Sequence, residues 1–510
     1  MTELLHVTDL SIAIGEGAPV VDGLSFSIAP GETVGLVGAS GAGKSLSAAA
    51  LLGLLPAGAR VRGGRAIFRR KSGESVDLLA LRARQYTALR GREMGLVFQE
   101  TQAALNPVLS CGSQMREAVR RLRPDMPDPK SYVSELLERV ELAPLGDRIM
   151  RALPNELSGG ELQRLLIGMA LIGEPRLLIA DEPTTALDSI TETEMVRLLD
   201  RLRRELGMGM LFITHDARLL TRIADRVVPI GPPPTTTVES MDRPLARSTP
   251  ARVLVDVREL TVTYPGREQP AVSRCSFRIA EGEWLALIGP SGCGKTTLAH
   301  WMVGLRPALS GSLQVEGLAQ PATLTGRTIR TMTGAQIIFQ DVNGSLNPGM
   351  SVGATLREVT KLHGSGDAAA FLRRVNLAPE RFLERYPHQL SGGERQRVVI
   401  ARALAAKPRI LICDEAVASL DLPLREEIQA LLKQIGLRDR IGILFITHDL
   451  HQVVRFADRV LLMNQGRIVE QGSATDILRA PATDVGKRLV AAARLDDEDG
   501  GEPKLARPAL

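Results

Sequence analysis

The sequence predicts an α/β protein in which one mainly parallel β-sheet fold is built twice along the chain. Three observations lead to this prediction. The 510 residues exceed one ordinary domain and suit two, each large enough to bury its own core. Four sequence strings occur twice in the same order. Short apolar stretches alternate with helical ones, as in parallel sheets that are covered by helices on both faces.

The repeat is carried by four pairs of strings. The glycine-rich and LSGG strings come first, the acidic strand ends next, and LFITHD last. In both halves 23 residues separate the LSGG serine from the strand-end aspartate, and 34 separate that aspartate from the histidine. The strings occupy 38–45 and 289–296, 157–164 and 390–397, 177–188 and 410–421, and 211–216 and 444–449.

The repeat and the composition together predict the domain boundaries. We place the first domain at 1–230 and the second at 251–480. Between them, 231–250 is rich in proline and reads as an extended, semi-rigid linker. Only the second half continues into the hairpin-like string LLMNQGRIVEQG. Residues 481–510 form a short C-terminal extension that ends in an acidic tail, which we expect to be disordered.

The strands can be placed from their apolar runs. VGLVG and LALIG are short strands that lead into a glycine-rich turn, and a helix should follow from Lys44 or Lys295. LLIAD, ILICD and LFITHD read as further strands. The LSGG turns should start helices at Gly159 and Gly393.

Composition excludes several classes of protein. With 44% hydrophobic and 24% charged residues, the chain is typical of folded globular proteins. No apolar run approaches the ~18 residues that span a bilayer. Glu3 and the lack of a basic leader argue against a secretory signal, so we expect an intracellular protein. A net charge of +5 with 3% aromatic residues argues against nucleic acid as a partner.

The cysteines predict neither a metal site nor a disulfide framework. There are four, and none forms a CxxC pair. We expect buried small side chains at Cys111, Cys275, Cys293 and Cys413.

Both glycine-rich strings fit GxxxxGK[ST], which binds phosphate. Glycines let backbone N–H groups wrap the phosphates, the lysine reaches the β- and γ-phosphates, and the Ser or Thr hydroxyl ligates Mg²⁺. Chance could produce one such string, but two copies that each follow an apolar strand disfavour chance. The predicted ATP-binding residues here are Gly38, Ser40, Gly41, Gly43, Lys44 and Ser45, and Gly289, Ser291, Gly292, Gly294, Lys295, Thr296 and Thr297.

Each half has an Asp-Glu pair at a strand end, and these pairs are the predicted catalytic carboxylates. Asp181 and Asp414 can hold Mg²⁺ beside the phosphates, and Glu182 and Glu415 can polarise the attacking water. On its own, such a pair would more often be a solvated loop. Because a phosphate loop lies upstream of the pair in both halves, the catalytic role is favoured over the solvated loop.

Two further elements point to the same sites. His215 and His448 stand at a fixed distance after the acidic pair, which favours a γ-phosphate contact over a structural role. The LSGG turns present a serine hydroxyl and a helix N-terminus to an anion. Their predicted ATP-binding residues are Ser158, Gly159 and Gly160, and Ser391, Gly392 and Gly393.

This ordered set, together with Gln99 and Gln340, resembles the ABC transporter ATPase family over nearly the whole chain. The resemblance implies two tandem P-loop nucleotide-binding domains, each with a helical subdomain, that face each other head to tail. Lys44 would then share a site with Ser391, and Lys295 with Ser158. It also implies ATP and Mg²⁺ as cofactors, with Mg²⁺ ligands among Ser45, Gln99, Asp181, Thr296, Gln340 and Asp414.

The two halves differ at one position of the family pattern. Tyr264 fits the adenine-stacking position of the family, whereas the first half carries Ile14 there. The first site is therefore expected to hold adenine less tightly. Since both glutamates and both LSGG strings are intact, we predict two hydrolytic sites.

The subfamily signal follows the glutamines. FQETQAALNP at 98–107 and FQDVNGSLNP at 339–348 resemble the dipeptide, oligopeptide and nickel uptake ATPases, here fused in one chain. The resemblance implies that these segments touch two permease subunits, and that an extracytoplasmic solute-binding protein acts indirectly. Asn-Pro could instead simply cap a turn. Many relatives bear a C-terminal cysteine cluster for an iron-sulfur centre, but no cysteine follows Cys413, so no cluster is expected.

The function expected from this resemblance is an importer motor at the cytoplasmic face of the plasma membrane. A soluble tandem ATPase acting on ribosomes is the first alternative, although its relatives carry a long helical connector. An exporter motor is the second. The LNP segments disfavour both alternatives.

Overall fold

The computed structural model divides into two compact units. It describes residues 3–39, 41–98, 104–185, 187–214, 216–231, 252–266, 269–315, 318–320, 334–342, 344–417, 420 and 422–494. Strands β1 to β9 belong to the first unit and β10 to β19 to the second. Of the linker predicted at 231–250, residues 232–250 lie outside the described residues, as does the acidic tail.

The first unit holds a five-stranded parallel sheet. Its strands are β3 (Thr33–Val37), β6 (Met94–Val97), β7 (Leu177–Asp181), β8 (Gly209–Thr214) and β9 (Arg226–Pro229), in the order β6-β7-β8-β3-β9. Every pairing between them is parallel. The predicted strand LLIAD therefore coincides with β7.

A second, antiparallel sheet covers one face of the parallel sheet. It consists of β1 (Leu5–Ile14), β2 (Pro19–Ile28), β4 (Ala59–Arg69) and β5 (Ser75–Asp77), in the order β2-β1-β4-β5. The core residues of β7 alternate between two apolar clusters. Leu177 and Ile179 pack with this second sheet, and Leu178 and Ala180 pack with the helices on the other side. Burial on both faces explains why the strand is continuously apolar.

Helices complete the first unit. α1 (Lys44–Leu51) follows β3, and α2 (Ala83–Leu89) precedes β6. Four helices form the expected helical subdomain: α3 (Cys111–Leu122), α4 (Pro129–Arg139), α5 (Gly146–Arg151) and α6 (Gly159–Ala170). α7 (Ser189–Leu206) and α8 (Ala217–Ile223) lie in the connections around β8.

The second unit repeats this plan. β12 (Trp284–Ile288), β15 (Ala335–Ile338), β16 (Ile410–Asp414), β17 (Gly442–Ile446), β18 (Arg459–Asn464) and β19 (Arg467–Ser473) form a sheet in the order β15-β16-β17-β12-β18-β19. β18 and β19 pair antiparallel, so the predicted hairpin is present. The covering sheet holds β10 (Val253–Val262), β11 (Val272–Ala280), β13 (Ser310–Val315) and β14 (Leu318–Gln320), in the order β11-β10-β13-β14.

The helices of the second unit follow in chain order. α9 (Lys295–Met302) begins at the predicted lysine. The later helices are α10 (Val352–His363), α11 (Ala368–Arg374), α12 (Pro379–Phe382), α13 (Gly392–Ala405), α14 (Leu422–Asp439), α15 (Leu450–Phe456), α16 (Ala474–Arg479) and α17 (Asp484–Arg494). Leu489 and Val490 of α17 belong to the core of this unit, so the start of the C-terminal extension is packed structure.

Two expectations from composition can be compared with the fold. All four cysteines are buried and free, as predicted. None of the helices in the described ranges has the length and apolarity that a bilayer crossing requires.

Candidate functional site

Crowding fixes the glycines of the first phosphate loop. The loop runs from the end of β3 to the start of α1. Gly43 has φ +94°, and a Cβ there would lie less than 3.0 Å from the Val21 side chain. At Gly38 a Cβ would lie equally close to the carbonyl oxygen of Ile230. Only glycine fits both positions, which keeps the backbone open to a ligand.

The second loop is built in the same way between β12 and α9. Gly289 has φ +148° and Gly294 has φ +110°. A Cβ at either would come closer than 3.0 Å to a backbone oxygen, that of Met463 or Ala271. Gly41 and Gly292 also have positive φ, but an added Cβ would meet no atom within 4 Å. Ser291 lies in the same loop, next to Gly292.

Each loop lysine is buried inside its own loop. Lys44 Nζ donates to the carbonyl oxygens of Gly38 and Ala39 at 2.8 and 2.9 Å. Lys295 Nζ donates to those of Gly289 and Pro290 at 2.8 and 2.9 Å. The two ammonium groups therefore sit at the centres of the loops, where a bound phosphate would also be held.

The strand-end aspartates meet the first hydroxyls of the loop helices. Ser45 Oγ donates to Asp181 Oδ1 at 3.1 Å, and Thr296 hydrogen-bonds to Asp414. Burial raises the pKa of Asp181, against the Ser45 hydrogen bond. Burial and then the adjacent glutamate raise the pKa of Asp414 to about 6. Both carboxylates are desolvated, which a nearby cation would offset.

These oxygen donors suit a magnesium ion. Mg²⁺ prefers hydroxyl, carboxylate and phosphate oxygens, and usually keeps few protein ligands when it binds with nucleotide. The described residues contain no group of three or more His, Cys, Asp or Glu side chains arranged to hold a metal by themselves. The hydroxyl–carboxylate pair in each half would supply the protein ligands.

The two catalytic glutamates predicted from the sequence have the same unusual backbone conformation. Glu182 has φ +46° and Glu415 has φ +48°, in the left-handed region that side chains rarely adopt. The amide of Glu182 donates to Ile213 O at 2.9 Å, and that of Glu415 donates to Ile446 O at 3.1 Å. The neighbouring strand thus holds both residues in a strained conformation of the kind that clusters at active sites.

Both glutamate carboxylates have partners among the described residues. Thr185 Oγ1 donates to Glu182 Oε2 at 3.0 Å. Gln340 Nε2 donates to Glu415 Oε2 at 3.0 Å, and His448 Nδ1 lies 3.6 Å from Glu415 Oε1. Burial alone would raise the pKa of Glu415, but His448 and the loop lysine hold it below its usual value.

Sequence reasoning missed Thr185. The sequence does show that the two halves differ at this position. When DEPTTALD is compared with DEAVASLD residue by residue, the second half has an alanine where the first half has this threonine. The Gln340 side chain reaches Glu415, and its predicted role as a magnesium ligand stays a prediction.

Both LSGG serines cap helices. Ser158 Oγ accepts from the amide of Glu161 at 3.4 Å, and Glu161 Oε2 accepts from the amide of Ser158 at 2.8 Å. Ser391 and Glu394 form the same reciprocal pair at 3.3 and 2.8 Å. The Ser391 amide, which donates to Glu394, lowers the pKa of that carboxyl.

One helix start was misplaced. The second helix begins at Gly392, not at Gly393 as predicted. Its capping pair spans three residues from Ser391 to Glu394, which makes Gly392 the first helical residue. Gly159 and Gly160 open the first helix as predicted, and Gly393 is the second residue of α13.

The predicted base-binding positions differ in the structure. The hydroxyl group of Tyr264 is hydrogen-bonded to Thr297 Oγ1 at 3.1 Å, so the ring lies beside the second phosphate loop. Ile14 ends β1 with 53% of its surface exposed. Three predicted site residues lie outside the described part of the chain: Ser40, Gln99 and His215.

Two phosphate loops, each facing a strand-end Asp-Glu pair across the carboxyl edge of a parallel sheet, define a P-loop nucleoside triphosphatase built in tandem. The family profile described as "ABC transporter" matches residues 21–185 and 272–418. The chain belongs to this family, and it is an ABC-type ATPase.

Relatives match along almost the whole chain. The glutathione import ATP-binding protein GsiA of Escherichia coli strain K12 is 35% identical over 99% of this chain and 91% of its own length. The protein of the same description in Pectobacterium atrosepticum is 33% identical over 97% of this chain and 90% of its own length. A solved dimeric ATP-binding cassette bound to ADP and Pi is 27% identical, covers 43% of this chain and 99% of its own, and has a TM-score of 0.38.

Proposed function

We propose that this chain is the ATP-hydrolysing motor subunit of an ABC importer that takes up small peptides through partner permeases. One observation carries the proposal: relatives described as glutathione import ATP-binding proteins match 97–99% of this chain, both ATPase halves included. Glutathione is itself a small peptide. The relatives named above are described as glutathione importers, so we place peptides ahead of nickel complexes, the other cargo class expected from sequence.

The proposed chemistry follows from the contacts at each loop. Lys44 and Lys295 neutralise phosphate charge, and the backbone N–H groups of the glycine loops orient the phosphates. The Ser45–Asp181 and Thr296–Asp414 pairs would hold Mg²⁺, which would supply neutralising charge for the phosphates. Glu182 and Glu415 then orient and polarise the attacking water. His448, close to Glu415, is placed to contact the γ-phosphate.

The LNP segments support the permease contact. Leu105 is buried and anchors the first segment. Gln114 of α3 fixes the rest, because its Nε2 donates to Asn106 O and Leu109 O at 3.0 Å and its Oε1 accepts from the Asn106 amide at 2.9 Å. Asn106 Oδ1 also accepts from the Val108 amide at 3.1 Å, so the asparagine does cap a turn.

That turn presents apolar surface. Val108 is 77% exposed and Leu109 is 48% exposed, and Phe98, at the start of the same string, is 47% exposed. Exposed apolar side chains on a rigidly held turn suit a protein partner. We propose that this face docks a permease, and that the corresponding segment at Leu346 and Asn347 docks a second one. The motor would then work at the cytoplasmic face of the plasma membrane.

The test is affinity purification of the tagged chain from its native membranes in mild detergent, followed by mass spectrometry. The proposal predicts two multi-spanning proteins with the wild type and the loss of at least one of them with Val108→Asp/Leu109→Asp. A matched control is Val454→Asp, since Val454 is 64% exposed but lies on α15; it should keep both partners.

Other outcomes separate the alternatives. Ribosomal proteins without permeases would favour the soluble ATPase. Permeases from an operon without a solute-binding protein would favour an exporter.

The domain boundaries stay part of this proposal. We propose ATPase domains at 1–230 and 251–480 joined by a linker at 231–250, with 481–510 as the extension. An extracytoplasmic solute-binding protein would select the cargo. Neither nucleic acid nor an iron-sulfur centre has a part in the scheme.

A further inference from the structure

Three side chains of the second unit form a cluster beside its phosphate loop. Tyr264 lies just beyond β10, and its hydroxyl group is bonded to Thr297 Oγ1 at 3.1 Å. The guanidinium carbon of Arg306 lies 4.7 Å from the centroid of the Tyr264 ring. Arg306 belongs to the turn after α9 and is exposed, whereas Thr297 is buried. The ring is thus held at its edge by one residue and on a face by another.

All three members are replaced in the first unit. Counting from the loop lysine, Thr297 corresponds to Leu46 and Arg306 to Leu55, two and eleven residues on in both halves. Tyr264 corresponds to Ile14. The two leucines pack against the apolar core of the first unit. A hydroxyl, a cation and an aromatic ring have therefore been exchanged together for three aliphatic side chains.

The position of the cluster indicates what it contacts. Thr297 follows the predicted magnesium-ligating residue Thr296 directly, so the Tyr264 ring is one hydrogen bond away from the phosphate-binding helix. In a nucleotide, a single ribose links the base to the phosphates. An aromatic ring at this distance can stack on that base, and a stacked base contributes substantially to affinity.

We infer that Arg306 is a positioning residue for base recognition at the second site: it covers one face of Tyr264, so that the base stacks on the other. A guanidinium over an aromatic face is attractive and fixes the plane of the ring. The second site therefore binds the base of a nucleoside triphosphate more tightly than it would with an unsupported ring. At the first site, Ile14, Leu46 and Leu55 offer aliphatic side chains in place of this cluster. This inference rests on the proposal that both loops bind ATP.

Expected effects follow from the strengths of these contacts. Losing an exposed cation–π contact should weaken ATP binding by about two- to fivefold. Losing the ring itself should weaken it by about fivefold or more. The affinity for a ligand without a base should be unchanged in both cases.

The experiment uses the full chain with one working site. Lys44→Ala removes phosphate binding at the first loop, and Glu415→Gln blocks turnover at the second. Calorimetric titrations with Mg-ATP, Mg-GTP and inorganic tripolyphosphate are then compared with and without Arg306→Leu. We expect weaker binding of both ATP and GTP, because stacking tolerates either base, and unchanged tripolyphosphate binding. Arg306→Lys, which keeps the cation, should restore most of the loss.

A matched control is Arg373→Leu, because Arg373 is also exposed, with 62% of its side chain accessible, and lies on α11. It should leave all three affinities unchanged. Thermal unfolding checks that each variant is folded. If Arg306→Leu misfolds, Arg306→Gln takes its place.

Several results would overturn the inference. Equal loss of ATP and tripolyphosphate would mean that Arg306 acts on phosphate charge. Tighter ATP binding would mean that it competes with the base for the ring. Unchanged ATP binding would exclude any role. If the unaltered chain binds no ATP, the proposed function itself fails, which the other three results do not imply.

Discussion

Replacing Gly294 with alanine should damage the second unit far more than replacing Gly292, two residues earlier. Both glycines have positive φ, +110° and +75°, so both alanines bear the left-handed penalty of about 1–2 kcal/mol. Only at Gly294 does the new methyl group also meet backbone, the carbonyl oxygen of Ala271. Overpacking against atoms that cannot rotate away costs about 1–3 kcal/mol more.

The assay is thermal unfolding of the full chain, followed by Mg-ATP titration. For a unit of this size, about 1 kcal/mol corresponds to about 2–4 °C, so the Gly294→Ala midpoint should lie about 2–12 °C below that of Gly292→Ala. ATP affinity at the second site should fall with it, because the loop must shift to make room. If Gly292→Ala is equally or more destabilised, the crowding argument for these loops is wrong.

Four further predictions concern the sites, the docking surface and the titration of His300. Glu182→Gln and Glu415→Gln should each lower ATPase activity well below wild type, and activity near wild type in a steady-state assay would refute two hydrolytic sites. In the Glu415→Gln chain, Thr185→Val should lower the remaining kcat several-fold by loosening Glu182, while Thr185→Ser restores it; equal rates would exclude that contact. Gln114→Ala should free the LNP turn and lower uptake while ATPase of the purified chain persists, and unchanged uptake would count against the docking proposal. Burial, and then a neighbouring arginine, lowers the pKa of His300, so the midpoint of its NMR titration should lie below the ordinary histidine value of about 6.5. Because the unfolded chain then takes up this proton more readily than the folded one, the free energy of unfolding should decrease as the pH falls below about 6.5.

Most of the fold follows from local sequence. Runs such as LLIA are apolar at every position because both faces of the strand are buried. Each glycine-rich turn is followed by a helix that begins at the lysine. Repetition of the whole order then fixes the α/β class. The one misplaced helix start, Gly393 for Gly392, came from reading the turn without its Ser391–Glu394 capping pair.

The candidate sites were less completely predictable. Lys44, Ser45 and Asp181 follow from motifs because their chemistry requires fixed residue types. Contacts between distant segments carry no such pattern: Gln340 reaches Glu415 across 75 residues. Arg306 over Tyr264 likewise depends on how a turn packs against a strand. Such pairings are set by tertiary packing, which spacing alone does not encode.

The central claim, that ATP hydrolysis by this chain drives peptide import, is tested most directly by uptake of labelled glutathione and dipeptides. Host cells lacking the gene would be complemented with wild type or with Glu182→Gln/Glu415→Gln at matched expression. The account predicts uptake of at least one of these peptides with the wild type and background uptake with the double variant. Equal uptake by both would contradict it.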